Sequence, residues 1–563
     1  MRKYYFFVLI FYSFVSQGQN WIWAVGGQGS PIYKFGDTYP IAVDKLGNVY
    51  FVSTDSSYMA KYDSSGIFRQ MIYGPPYMES VSCDSHNNVY MYGDYFAPCT
   101  IDNQKFITQI EDMLLVKYDV SGNLIWAKSS KSTFNSMVWG LENGENWPSN
   151  PVCTDKYGDI YITGEIGGTV NFGAYTVTCN KIVGGGNVFL AKYDSAGNVL
   201  WATSAKDSAP LNNTYGLSLA ADNNKNVYLA CGIFVAGGGT AKFGPYLVTG
   251  YGCLVKYDSI GTVMWAKGFT PAVACVTTDK WGNVYITGQL IGSATFGPFT
   301  LNSIQSGFYL VKYSPIGQVL WATCGRPATV REYTGSYSVV SDHFGNVYVS
   351  VGGASSQNLN PGNDTLLIGN DTLVQYGYDP SYILKYDSSG NFICFTSLSS
   401  GGDDYSSIAA DSSGDIYVGG DFIGTPFQVG TANLSEEPGA VETGFIAKWH
   451  PCDSFGQAVI LPTPPTPPAS NELCNTIFVP DVFTPGGAYN NIFYVRSDCI
   501  SSMDFEVFDR WGNKVFESQN INKGWDGTYN GTPMNMGTYI WVLNATLQDG
   551  SNVKRKGSVT LVR

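Results

Sequence analysis

The chain has 563 residues, 65 of them glycine, with 15% aromatic and 14% charged residues. That is too long for one ordinary core and favours two or more domains of short strands and tight turns over helical or disordered classes. A formal net charge of −13 argues against a nucleic-acid partner, because such binding rests on Lys and Arg neutralising phosphates.

The first element is an address. Arg2 and Lys3 precede the apolar run "YYFFVLIFYSFVS", and Ser16 and Gly18 supply small residues ahead of a cleavage point, so residues 1–18 read as a signal peptide. The run is shorter than the roughly 20 residues a spanning helix needs. No second long apolar run follows, so the mature chain is expected to be exported and to have no transmembrane segment.

Two motifs then alternate along the chain, seven copies of each. The first is "DKLGNVY", "DSHNNVY", "DKYGDIY", "DNNKNVY", "DKWGNVY", "DHFGNVY" and "DSSGDIY", beginning at Asp44, Asp84, Asp155, Asp222, Asp279, Asp342 and Asp411. The second, "KYDSSG" and its relatives, begins at 61, 117, 192, 256, 312, 385 and, degenerate as "KWHPCD", at 448. In each, Asp accepts hydrogen bonds from nearby backbone N–H groups and a later Gly takes positive φ, which suits a tight hairpin turn. Asn87 can stand in for that Gly at modest cost, whereas Lys225 at the same position predicts a looser turn.

The flanking runs are β-rich, so each unit of roughly 60 residues should hold four strands with both turns on one edge. Four-stranded units repeated seven times predict a seven-bladed β-propeller over residues 19–452, with six or eight blades as the alternatives. The last unit lacks its outer strand, and "WIWAVG" at 21–26 is expected to supply it and close the final blade. From Trp21 to His450 the chain resembles the propeller repeats of secreted bacterial proteins, especially of the Bacteroidota; this implies fold rather than activity.

The propeller offers little catalytic chemistry. His86 and His343 sit in repeat turns and His450 in the degenerate one, while the first-strand runs carry no acid beyond the turn Asp. The seven turn Asp residues read as structural rather than as metal ligands, and the "WA" strands as packing rather than sugar platforms. No metal or other cofactor is expected. A ligand face is expected instead on the opposite edge, in connections carrying Trp139, Trp147, Arg326, Arg331, Tyr333, Asp403, Asp404 and Tyr405. Cys83, Cys153 and Cys275 read as buried thiols. The duplicated "GNDT" stretches at 362–365 and 369–372 place Thr365 and Thr372 in Asp-Thr-Leu triplets, which resemble a Bacteroidota O-glycosylation pattern.

A proline-rich linker follows at 453–473, containing "LPTPPTPPAS". Beyond it, residues 474–563 read as a small Ig-like β-sandwich, so the whole chain is all-β. Cys474 and Cys499, 25 residues apart, are candidates for a disulfide. The segments "VPDVFTP", "DRWGNKVF", "GWDGTYNG", "GTYIWVL" and "KGSVTLVR" resemble the gliding-motility-associated, type B sorting domain of the type IX secretion system. On that resemblance the signature residues are Pro480, Phe483, Pro485, Trp511, Gly512, Trp525, Asp526, Gly527, Gly537, Tyr539, Gly557, Leu561 and Arg563. The acidic turn usual after "FTP" is replaced by "GGAYNN", which removes the hard oxygen ligands a calcium ion would use.

These observations predict a monomeric, non-enzymatic binding protein. It would leave the cell through the type IX machinery and act in adhesion, on a protein or glycan ligand, at the surface or outside. The alternatives are an extracellular polysaccharide hydrolase or lyase, and a structural part of the gliding apparatus.

Overall fold

Turn motifs alternating with β-branched and aromatic runs produce strands throughout: every regular element among the described residues is a β-strand. The computed structural model describes most of residues 21–452 and 477–562. The longer stretches outside the described residues are 1–20, 27–39, 53–57, 138–149, 180–185, 208–212, 235–238, 328–331, 356–361, 400–406, 423–426, 436–442, 453–476, 486–491 and 496–499. The signal peptide, the linker and the Cys474–Cys499 pair therefore lie outside them. The chain forms two compact units, Met1–Val459 and Ile460–Arg563.

In the first unit each pair of motifs organises one antiparallel sheet, numbered here one to seven from Asp44 to Asp411. Sheet two is representative, with strands Tyr77–Cys83, Val89–Tyr95, Asp112–Tyr118 and Leu124–Ser129 paired in that order. The second and third strands are buried at every position in sheets two, three and seven, whereas the fourth is half exposed in sheets two and three. Sheets packed face to face explain this, because the middle strands are then covered on both sides. Sheet seven takes its fourth strand from the start of the chain: Trp21–Gly26 pairs with Thr443–Trp449.

The apolar cores lie between consecutive sheets. Tyr90, Met113 and Leu115 of sheet two pack with Ile160 and Phe189 of sheet three and with Phe172 on the connection between their strands, and Ile41, Val49 and Phe51 of sheet one pack with Tyr417 and Ile446 of sheet seven. The first strands contact one another in series, and that of sheet seven, Ser407–Ala410, contacts Ile41–Val43 of sheet one.

A recurring side-chain bond ties each sheet to the next. The indole N–H groups of Trp126, Trp201, Trp265 and Trp321 donate to the carbonyls of Ser195, Ser259, Pro315 and Ser388 at 3.1–3.3 Å. Trp23 on the N-terminal strand does the same to Ser64 of sheet one at 3.0 Å. Gln70 takes this role in sheet one, its side-chain amide donating to Ser121 at 3.0 Å. In sheet six Cys394 stands where the tryptophan would be, opposite Lys385, and forms a disulfide with Cys452 of sheet seven.

A third repeat escaped the sequence reading. Hairpins occupy the connection between second and third strands: Cys99–Ile101 with Gln104–Phe106, Thr169–Phe172 with Tyr175–Thr178, Gly239–Phe243 with Tyr246–Gly250, and Phe427–Val429 with Ala432–Leu434. The duplicated "GNDT" stretch is the version in sheet six, Gly362–Ile368 paired with Asp371–Gly377, rather than an isolated insertion. Its first strand also pairs with Val319–Pro327 of sheet five, so this hairpin bridges two sheets.

The second unit is a five-stranded sheet in the order Val482–Phe483, Asn552–Leu561, Gly537–Leu547, Ile500–Phe508, Lys514–Ser518, the first pair parallel and the rest antiparallel. Strict alternation in Gly537–Leu547 puts Tyr539, Trp541, Leu543, Ala545 and Leu547 on the buried face. They meet Phe483, Phe493, Phe505 and Trp525 there.

Candidate functional site

The first-motif turn is a closed hydrogen-bond system built on one carboxylate. One oxygen of Asp279 accepts the backbone N–H groups of Trp281 and Asn283, each at 2.9 Å. The other accepts the Asn283 side-chain amide at 2.8 Å and the Tyr285 hydroxyl at 3.1 Å. Asp44, Asp84 and Asp222 repeat all four bonds. At Asp84 burial pushes the carboxyl up, but the Asn88, His86 and Tyr90 donors outweigh it and hold it below its ordinary value.

The second motif completes the turn from above: the ammonium of its lysine sits 4.8–5.7 Å from the centre of the first-motif tyrosine ring in all seven sheets. Where Asn becomes Asp, the lysine gains a carboxylate partner while staying over the ring. Lys192 binds Asp159 at 3.0 Å, and Lys448 binds Asp415 at 2.9 Å, which His450 also contacts at 2.5 Å. The carboxylates of Asp44, Asp84, Asp222 and Asp279 thus each accept four hydrogen bonds from donors of their own turn and following strand. Lys225 corrects one expectation: it adopts φ 64° and keeps the turn, with its ammonium held 3.3 Å from Asp159 and 4.4 Å from the Tyr157 ring centre.

Most of the expected ligand face falls on residues that are not described. Trp139, Trp147, Arg331, Asp403, Asp404 and Tyr405 lie outside the described residues, and of Tyr333 only the strand position is described, opposite Ala354. Arg326 is half-buried on Val319–Pro327, opposite Leu367 of the sheet-six hairpin. Thr372 is exposed and Thr365 half-buried on that hairpin.

Other groups went unnoticed in the sequence. Asp94, Glu165, Asp421, Glu111 and Asp112 are buried on second and third strands or beside them. Burial pushes the Glu111 carboxyl up to about 7, and Asp112 is raised by burial despite bonds from Ser130, Ser132, Ser129 and the Met113 amide. Among the described residues no three His, Cys, Asp or Glu side chains gather as a metal site. Cys153 and Cys275 are buried thiols whose burial pushes them up, and Cys83, half-buried, is raised for the same reason. Cys231 and Cys253, directly opposite on adjacent strands, form a second disulfide the sequence reading did not foresee.

The turn edge also exposes large apolar side chains at the second position after the repeat Asp: Leu46, Tyr157, Trp281 and Phe344. Each leans on the neighbouring turn where a contact is described. The Tyr157 hydroxyl donates to Asn223, and side chains at Gly345 and Gly414 would collide with or crowd Trp281 and Phe344.

In the second unit the signature residues divide into core and surface. Phe483, Trp525, Tyr539 and Leu561 are buried. Gly527 at φ 78° lies against Pro485 and Leu561, and Gly557 has no room for a Cβ beside Trp541. The Trp525 indole donates to the Thr528 carbonyl, and the Tyr539 hydroxyl to that of Asn535. Trp511, by contrast, is 78% exposed at the tip of the Asp509 turn, with the Arg510 guanidinium 5.4 Å from its ring centre. Asp526 is also exposed, and Gly512 and Gly537 hold positive φ. Pro480 and Arg563 lie outside the described residues.

Comparison with known proteins adds the following. An uncharacterized WD repeat-containing protein of Acanthamoeba polyphaga mimivirus is 24% identical over 338 residues, covering 47% of this chain; the chain spans about a quarter (24%) of that relative. Among solved structures, a streptogramin B lyase (TM-score 0.37, 9% identity, 77% of this chain and 99% of that one) is similar. So are a chain of the mitotic checkpoint complex (0.38, 10%, 80% and 100%) and virginiamycin B lyase from Staphylococcus aureus (0.35, 9%, 75% and 98%). Likenesses this distant say nothing about this chain's chemistry. Residues 477–561 match the model of the CHU_C type IX secretion signal domain family, and this domain marks the chain for export to the cell surface or the extracellular space.

Proposed function

We propose that residues 19–452 form a seven-bladed β-propeller closed by strand 21–26, carried out of the cell by an Ig-like sorting domain at 474–563 and used outside as a non-enzymatic binding scaffold for a protein or glycan. Support for the ring comes from the cyclic contacts of the first strands and from the bond or disulfide between each sheet and its successor. Support for export comes from the family match at 477–561.

The observation that carries the binding reading is the exposed set Leu46, Tyr157, Trp281 and Phe344, large apolar side chains that recur at one position of the repeat turn. Solvent-facing aromatics held on a rigid scaffold are suited to recognition. The test is retention of the mature protein on an array of glycans and bacterial surface proteins. Retention of a defined ligand without its conversion fits the reading; no retention on any ligand refutes it.

One observation favours a second reading, an extracellular polysaccharide hydrolase or lyase: the Glu111 carboxyl, raised to about 7, is suited to general acid or base work. Product release from a polysaccharide panel, abolished in Glu111→Gln, is the outcome that would establish it.

A further inference from the structure

The aromatic residues on the turn edge share a local design. Tyr157, Trp281 and Phe344 occupy the same position of the repeat and are 49%, 55% and 63% exposed. Each ring is braced by the next sheet: Tyr157 through its hydroxyl to Asn223, Trp281 against Gly345, Phe344 against Gly414. A braced ring that stays open to solvent has little rotamer freedom left to lose on contact, which favours stacking of a flat apolar surface on it.

The residue before each ring is basic: Lys156, Lys280 and His343, all exposed. Lys156 lies 5.0 Å from the Tyr157 ring centre, where Lys225, tied to Asp159, already sits at 4.4 Å, and Lys280 lies 4.6 Å from the ring centre of Trp281, so Trp281 is the more open of the two rings. At an exposed site such a cation–π contact is weak, so a stacking ligand can displace the ammonium. A neutral ligand loses that contact and leaves the cation to water. An anionic one gives it a new partner, and a charge-assisted hydrogen bond is stronger than a neutral one. The repeat carboxylates beside these lysines do not compete from the surface, since Asp155, Asp279 and Asp342 are buried within their turns.

A pyranose ring offers an apolar face of C–H groups for stacking, and a uronic acid unit adds a carboxylate at its edge. We propose that the turn edge around Tyr157, Trp281 and Phe344 binds an acidic glycan, with uronic acid units stacking on the rings and their carboxylates paired to Lys156 and Lys280. This rests on the binding function proposed above and names the ligand class of that same turn edge.

Affinity electrophoresis of the full mature chain through gels containing polygalacturonate, or the neutral glucan pullulan, tests it. Retardation by polygalacturonate and not by pullulan is expected, weakening as salt rises. The variant Trp281→Ala with Phe344→Ala should lose about tenfold or more in affinity, the effect of one or two stacking contacts. Because those rings brace turns, Lys156→Gln with Lys280→Gln serves as a second variant; it should lose binding to polygalacturonate with an unchanged melting temperature. Unchanged retardation in both variants, or none in the wild type, overturns the assignment. Retention on the array by some other ligand alongside no retardation here overturns this inference alone, whereas silence in both assays overturns the binding function as well.

Discussion

Replacing Asp279 with alanine strands four donors at once: the amides of Trp281 and Asn283, the Asn283 side chain and the Tyr285 hydroxyl. It also removes the counter-charge 3.6 Å from the buried Lys312 ammonium. The first three donors sit at a solvent-facing turn and can turn to water. Tyr285 is fully buried and cannot. A hydrogen bond to a charged group contributes about 1.5–3 kcal/mol, and a buried donor left without a partner costs about 1–3 kcal/mol, so the loss should be about 3–5 kcal/mol. Asp258→Ala is the control: that carboxylate serves the second-motif turn of sheet four, where it accepts the amides of Ile260 and Thr262. Its loss should be about 1 kcal/mol, as for a helix cap. Guanidinium unfolding of the full chain, following the transition of the first unit, measures both. Equal losses, or under about 1 kcal/mol for Asp279→Ala, would refute the view that this carboxylate organises its sheet.

Other consequences are as direct. Cys394→Ser opens a bridge spanning 58 residues, and the loop-entropy relation gives a loss of about 4 kcal/mol; reductant also opens Cys231–Cys253 in both proteins, so in unfolding measurements it should cost the wild type about 4 kcal/mol more than the variant. Glu111→Gln should stabilise the first unit at pH 8 by about 1–3 kcal/mol but have no effect near pH 4. The folded carboxyl, raised to about 7, binds a proton that the unfolded one has released, so wild-type stability falls as pH rises towards 7; a pH-independent effect would contradict this. Asp63, Asp84, Asp194 and Asp415 are held below their ordinary value, where hydrogen bonds outweigh the upward push of burial. Their stabilisation is complete above an unfolded value of about 3.9 and should be lost as pH falls through the lower folded values, which denaturation midpoints at pH 5 and pH 3 would report. Trp525→Ala opens a cavity costing about 3–5 kcal/mol in the second unit and should leave the chain in the periplasm. Trp511→Ala removes an exposed side chain and should leave that unit's melting unchanged; a large drop would contradict its surface position.

The turns were legible in the sequence because an Asp, a Gly three residues later and an Asn or Asp after it define a local geometry. Asp44 and Asp279 make the same bonds from the same spacing. The contribution of residues 21–26 was legible for a related reason: the final repeat lacks a "WA" strand, and Trp23 supplies both that strand and its indole bond. The hairpins between second and third strands were missed although three of them share Phe-Gly followed by Ala or Pro and an aromatic, at 172–175, 243–246 and 296–299; in sheet two Asp102 and Asn103 replace the glycine, and the four-residue string is short. The disulfides were missed because their partners are far apart in sequence: Cys231 meets Cys253 through strand register, and Cys394 meets Cys452 through the packing of consecutive sheets. The aromatic edge was in plain view in "DKYGDIY", "DKWGNVY" and "DHFGNVY". Only the exposures of Tyr157, Trp281 and Phe344 separate such residues from packing ones, and exposure is not written in a turn motif.

The central claim is that the exported unit holds a ligand without transforming it. Incubating the mature chain with polygalacturonate, while following both bound protein and newly formed reducing or unsaturated ends, tests this directly. The account predicts saturable binding that depends on Trp281 and Phe344, with no new ends. Accumulation of new ends that stops in Glu111→Gln would contradict it and make the protein an enzyme.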